Sequence, residues 1–91
     1  MTNEIITVIG RPGTVYILEY LYTHEKTQYK DLLETKAVPS LNVRLKQLLK
    51  LHLIEHHFVR KVTRKEWYTI TEKGEKVLQL MRKLQKISIN S

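Results

Sequence analysis

Apolar residues in this chain recur at three- and four-residue steps almost throughout, and strand-like composition interrupts them once, over residues 54–70, before helical spacing returns. That pattern allows one β-hairpin set among helices and little else. With 91 residues there is material for a single core, because a chain of this size buries only about 60–65% of its unfolded surface; one domain, 1–91, is expected. No run reaches the ~18 uninterrupted apolar residues of a membrane span, since Glu19 splits the stretch 15–22. The chain has no cysteine, which excludes disulfides, a thiol nucleophile and Cys-ligated zinc. Met1-Thr2-Asn3-Glu4 lacks signal-peptide character, so a cytoplasmic protein is expected.

The elements follow from local chemistry. Asn3 can cap a short helix through Ile9, although Ile5-Ile6-Thr7-Val8-Ile9 also suits a strand. Gly10-Arg11-Pro12-Gly13 breaks the chain, and Pro12 suits the first turn of the next helix, whose Val15, Leu18, Leu21 and Tyr22 recur to about Thr23. Thr27 is a candidate cap for a third helix with Tyr29, Leu32 and Leu33 inward and an end near Thr35. Pro39 enforces a break, and Ser40 is a strong N-cap candidate for a helix to about Leu51. Residues 54–62 and 66–70 read as hairpin strands around the polar tip Thr63-Arg64-Lys65. Thr71 caps a last helix to about Ile87, with Glu72 at its positive end. The expected class is α+β, mostly helical, with the element order of a winged helix-turn-helix.

Charge is segregated along this order. Residues 1–35 hold three Lys/Arg against five Asp/Glu, a net of −2, and residues 36–91 hold thirteen against four, a net of +9. Such a field attracts a polyanion, either nucleic acid or an acidic membrane surface, and a lysine-rich solubilising face is the plainer alternative. Placed at 100° steps, Leu41, Leu45, Leu48, Leu49 and His52 fall within about 100° of arc as the core side of helix 40–51. Asn42, Val43, Lys46, Gln47 and Lys50 occupy the opposite arc with Arg44 at its edge, and no acidic residue lies between Ser40 and Lys50. Asn and Gln can pair bidentately with adenine, Arg and Lys reach guanine, and the Val43 methyls can meet a thymine methyl. Ser40 and the free N–H groups at the helix start suit a phosphate. Arg60, Lys61, Arg64 and Lys65 put four cations within six residues, which repel one another unless an anion neutralises them. A wing on the DNA backbone or minor groove would use them; a charged tip that protects a sheet edge would equally hold them. Trp67 and Tyr68 lie in the strand and are expected to anchor the hairpin on the core.

Arg44-Leu45-Lys46-Gln47-Leu48, then Leu53-Ile54-Glu55, then Glu66-Trp67-Tyr68-Thr69-Ile70-Thr71-Glu72-Lys73-Gly74 resemble the winged-helix transcription regulators of the HxlR, PadR and MarR type. The HxlR-like pattern fits best, with an R-L-x-x-L core in the recognition helix, a G-L-I exit and a Y-x-L-T-x-x-G lead-in to the final helix, over about residues 11–84. His52 stands where these families have the glycine that ends the recognition helix, and histidine tolerates positive φ better than most residues. The cysteine of some redox-sensing relatives is missing. The resemblance implies DNA contacts from Ser40, Asn42, Val43, Arg44, Lys46, Gln47 and Lys50, and wing contacts from Arg60, Lys61, Thr63, Arg64 and Lys65.

In the final helix, about 71–88, Val77, Leu80 or Met81, Leu84 and Ile87 form a stripe. One face can pack on the domain through Leu78 and leave Val77, Leu80, Met81, Leu84 and Ile87 for the same helix of a second subunit; the alternative folds the helix wholly onto its own core. Related regulators dimerise through terminal helices. A two-fold dimer sets recognition helices about 34 Å apart and selects a palindrome. His52, His56 and His57 lack a metal-site spacing, and His56 and His57 point to opposite faces of a strand. No phosphate-cradling loop, nucleophile elbow or convergent acid–base pair occurs, so neither enzyme activity, cofactor nor metal is expected, and no effector pocket is legible. The expectation is a homodimeric, sequence-specific double-stranded DNA-binding repressor, with an architectural DNA-coating protein or a winged-helix module for acidic proteins as alternatives.

Overall fold

The computed structural model describes residues 4–61 and 64–90. Five helices, α1 (Glu4–Ile9), α2 (Thr14–Thr23), α3 (Tyr29–Thr35), α4 (Leu41–Lys50) and α5 (Glu72–Asn90), surround an antiparallel pair, β1 (Ile54–Arg60) and β2 (Arg64–Ile70), that lies between α4 and α5 in sequence. This is the winged helix-turn-helix, with α3–α4 as the helical pair and β1–β2 as the wing. None of the helices among the described residues is long and apolar enough to cross a membrane.

The core draws Ile17, Leu18 and Leu21 from α2, Leu32 from α3, Leu41, Leu45 and Leu48 from α4, Leu53 and Ile54 at the start of the wing, and Leu78 and Met81 from α5. These positions follow the helical period read from the sequence for α4; in α2, Ile17 is fully buried in place of Tyr22, which was expected on the apolar stripe and is 48% exposed. Several details differ. Pro12 lies in the turn before α2 and not in its first turn. That turn is closed by the Thr14 hydroxyl, which donates to the Val8 carbonyl at 2.7 Å in a buried bond. Gly13 takes φ +90° there, and a Cβ on it would stand 2.4 Å from Val38 Cγ1, so glycine is required twice over.

Thr27 does not cap α3. Gln28 occupies that position, its backbone N–H donating to Asp31 Oδ2 at 2.8 Å in a capping box. Thr27 is buried instead and pairs as an isolated antiparallel bridge with Tyr68, its carbonyl accepting from the Tyr68 N–H at 2.7 Å. A third strand fragment thus ties the α2–α3 connection to the wing. Leu33, expected inward, is exposed. The wing is tighter than its composition suggests: register runs from Ile54↔Ile70 to Arg60↔Arg64.

The junction of α4, wing and α5 explains the motifs. At the end of α4, His52 adopts φ +60°, with its N–H donating to Leu49 O and the Leu53 N–H to Leu48 O, each at 3.0 Å. This is a Schellman ending, which asks for a left-handed residue at the position of His52. His52 is consequently exposed and not part of the apolar arc assigned to it. Thr71 caps α5 as expected: its Oγ1 accepts from the Gly74 N–H at 2.9 Å and donates to the His52 carbonyl at 2.7 Å. The Thr71 N–H donates to Leu53 O at 3.1 Å, and Lys73 Nζ reaches Leu51 O at 2.9 Å. One capping residue thereby serves two helices.

Candidate nucleic-acid interface

The outward arc of α4 carries Asn42, Val43, Lys46 and Lys50 exposed and Gln47 half-exposed, beside the exposed Ser40. Ser40 precedes the helix but does not cap it with its side chain. It sits at φ 53°, ψ 50°, leaving its hydroxyl off the helix N–H groups. Its carbonyl still accepts the first helical bond, from the Arg44 N–H at 3.1 Å.

Arg44 is the correction that matters most. Expected at the edge of the DNA face, it is 7% exposed. Its Nε donates to the Pro12 carbonyl at 3.2 Å and its Nη1 donates to Gln47 Oε1. The guanidinium therefore binds α4 to the turn before α2 and has no free fork for a guanine. The signal was present in the sequence: at 100° per residue Arg44 falls at about 300° from Leu41, between Leu51 at about 280° and Leu48 at about 340°, on the core side. Arginine can occupy such a site because its stem packs while its fork finds acceptors.

Lys50 also has a partner that the sequence did not announce. Its Nζ stands 3.2 Å from Glu4 Oε1 across the α1–α4 contact, with both side chains largely exposed. Glu4, Thr7, Gln47 and Lys50 line a shallow cleft at that seam.

On the wing, Arg60, Lys61 and Lys65 are exposed, and the Arg60 guanidinium lies 5.4 Å from the Phe58 ring centroid. Phe58 is itself exposed, an aromatic beside the cations that composition alone did not single out. Thr63 and the Arg64 side chain lie outside the described residues. Tyr68 packs on the core as expected, and burial pushes its phenol up from the usual tyrosine range, with Glu66 and then Tyr29 adding to the rise. Trp67 is on the opposite face, stacked on His57 at 5.4 Å with Lys26 Nζ 5.2 Å from its ring. It braces the outside of the wing and does not reach the core. His56 stacks on Tyr68 at 4.9 Å, so the two histidines do face opposite ways. Among the described residues no group of His, Asp or Glu could hold a metal ion.

Along α5, Leu78 and Met81 are buried. Met81 was expected at a subunit interface and belongs to its own core, because Gly74, Leu78 and Met81 form the inner seam at four- and three-residue steps. Val77 is half-buried, while Leu80, Leu84 and Ile87 are each about 60% exposed. With Ile5, Ile6 and Ile9 of α1, the α5 residues Val77, Leu80 and Leu84 border an apolar groove of about 390 Å³. Arg82 meets Glu19 of α2 in a two-pronged pair, Nε–Oε1 2.7 Å and Nη2–Oε2 2.6 Å. The Arg82 hydrogen bond holds the Glu19 carboxyl below its ordinary range.

Comparison with known proteins agrees with this geometry. Residues 8–90 match the model of the HxlR-like helix-turn-helix family. Among solved structures, the reduced form of the transcriptional regulator YodB from B. subtilis superposes with a TM-score of 0.77 at 25% sequence identity, covering 90% of this chain and 82% of that one. No curated protein sequence matches. The order of elements, the capped α4–wing–α5 junction and the matched span together make this chain a winged helix-turn-helix protein of the DNA-binding, transcription-regulating kind, and it belongs to the HxlR-like helix-turn-helix family.

Proposed function

We propose that the chain is a homodimeric repressor of the cytoplasm that reads a palindromic double-stranded site, with α4 in the major groove and the wing on the backbone or minor groove. The observation that carries this is the outer face of α4: five adjoining positions, Asn42, Val43, Lys46, Gln47 and Lys50, carry hydrogen-bonding groups, cations and a methyl pair toward solvent, and the helix holds no acid. Arg60, Lys61 and Lys65 extend the cationic surface to the wing, and Ser40, Thr63 and Arg64 complete the proposed contact set. Val77, Leu80, Leu84 and Ile87 supply the outer seam of α5 for a second subunit. Repression would follow from occlusion of a promoter. The similar structure is the reduced form of the transcriptional regulator YodB; this chain, without cysteine, has no thiol to oxidise.

The test is selection of duplexes from a random pool at near-physiological salt, where non-specific binding is weak. A two-fold motif with half-sites about 10 base pairs apart is expected. The withdrawal of Arg44 into the fold leaves lysines as the cations of the α4 face, and this favours an architectural reading as second choice; duplex binding without an enriched motif would establish it. Absence of binding at low salt would point instead to an acidic protein partner.

A further inference from the structure

We infer that Gln47 meets its base as a hydrogen-bond donor only, so that the base opposite it carries a keto acceptor, guanine before thymine, in preference to adenine. This rests on the proposal that α4 lies in the major groove, and it comes from what Arg44 does to the Gln47 amide. The guanidinium is held from behind by the Pro12 carbonyl, 3.2 Å from its Nε, and is almost wholly buried. Its Nη1 donates to Gln47 Oε1. A guanidinium offers donors alone, so the amide turns its oxygen toward Arg44; the reverse orientation would set donor against donor. The Nε2 group, with two hydrogens, is the end left for a ligand.

A glutamine free to turn pairs with adenine by donating to N7 and accepting from the N6 amino group. That pair needs Oε1 to accept a second hydrogen bond, from the base, and here Arg44 already takes one of its two lone pairs and holds it on the protein side. Guanine N7 and O6 both accept, as does thymine O4, whereas cytosine presents a donor. Arg44 is thus a positioning residue: it touches no base and sets the polarity of the residue that does.

The experiment is the same pool selection run on the wild-type chain, Gln47→Ala, Gln47→Glu and Arg44→Lys, with thermal melts to show that each variant folds. The position whose preference disappears in Gln47→Ala locates the contact. There the wild type should enrich guanine over adenine by about three- to ten-fold, the worth of one neutral hydrogen bond. Gln47→Glu keeps an acceptor for Arg44 but replaces the outward donor with an acceptor. Preference at that position should turn to the amino bases cytosine and adenine, with the rest of the motif unchanged and overall duplex affinity lowered by the added negative charge. Arg44→Lys loses the fork, and adenine should join guanine at that one position; if this variant does not fold, Gln47→Glu decides alone. Adenine enriched there by the wild type, or a motif that Gln47→Glu leaves intact, would overturn the inference while sparing α4 as reader. A wild-type chain that binds duplex with no enriched base anywhere overturns both.

Discussion

Replacing Gly74 by alanine sets two effects of opposite sign against each other. Alanine is the better helix former, by about 0.5–1 kcal/mol in a helix interior, so propensity alone predicts stabilisation in the first turn of α5. The packing predicts the reverse. A Cβ at Gly74 would stand 2.1 Å from the Leu53 carbonyl oxygen, 2.8 Å from Ile70 Cγ1 and 3.0 Å from the Leu53 carbonyl carbon. Two of the three are backbone atoms, so no rotamer change relieves the clash; α5 must lift from the wing by about 1 Å to restore ordinary contact. Overpacking of this kind costs about 1–3 kcal/mol. Lifting also breaks the bond from the Thr71 N–H to Leu53 O, now 3.1 Å, worth about 0.5–1.5 kcal/mol. The net is a loss of about 2–3 kcal/mol, which for a domain of this size lowers Tm by about 10–20 °C. Thermal and urea unfolding followed by circular dichroism at one fixed protein concentration measures it, with Lys76→Ala on the exposed face of α5 as a control expected within about 0.5 kcal/mol of wild type. A Gly74→Ala protein as stable as wild type, or more so, would refute the claim that the glycine is there for close approach.

Four further outcomes follow from the same geometry. Arg44→Met keeps the packed stem but strands the Pro12 carbonyl, and should lower unfolding stability by about 1–3 kcal/mol in the urea midpoint. His52→Gly relieves a left-handed strain of about 1–2 kcal/mol against about 0.5–1 kcal/mol of added unfolded-state entropy, so the urea midpoint should rise by an amount equivalent to about 0.5–1 kcal/mol. Glu4→Gln frees Lys50, and duplex affinity should rise about two- to five-fold at low salt with the gain fading as salt increases, read by titration. Glu19→Gln removes a carboxyl whose folded pKa is depressed. The stabilisation from such a group is present above the unfolded value, 4.5, and is lost as pH falls through the folded value. The variant should therefore melt below wild type at pH 7, with the gap closing as pH falls below 4.5, the difference being modest because the pair is exposed to solvent by more than a third.

What was legible in the sequence is what local periodicity and capping decide. Helix order, the single hairpin, the Thr71 cap and the tolerance of His52 for positive φ all depend on neighbours within a few residues. What was not legible depends on which distant surface arrives first. Leu80 and Met81 are adjacent and similarly apolar, yet Met81 is buried and Leu80 exposed, because Gly74 lets α5 approach at one angle and so selects the seam through Leu78. Thr27 reads as a helix cap until Tyr68, 41 positions later in the register of the wing, offers it backbone partners. Arg44 reads as a base contact by residue type, and its place between Leu48 and Leu51 on the wheel was the better guide.

The residues that carry the family resemblance and those proposed to read DNA are therefore largely different sets, and the division has a physical cause. Arg44 holds Pro12, Leu45 and Leu48 fill the core, Tyr68 packs beneath the wing, Thr71 joins two helix ends and Gly74 admits the Leu53 carbonyl. Each is held in place by a contact inside the fold, and each fixes where α4 and the wing stand relative to one another. Asn42, Val43 and Lys46 fall between these positions on the same helix with solvent beyond them, so they can change without disturbing the frame. Gln47 links the two sets, facing outward at an open position of the pattern while bonded to Arg44. A frame of this kind keeps its geometry while its exposed positions vary, and the site it reads is written in the residues that the family pattern leaves open.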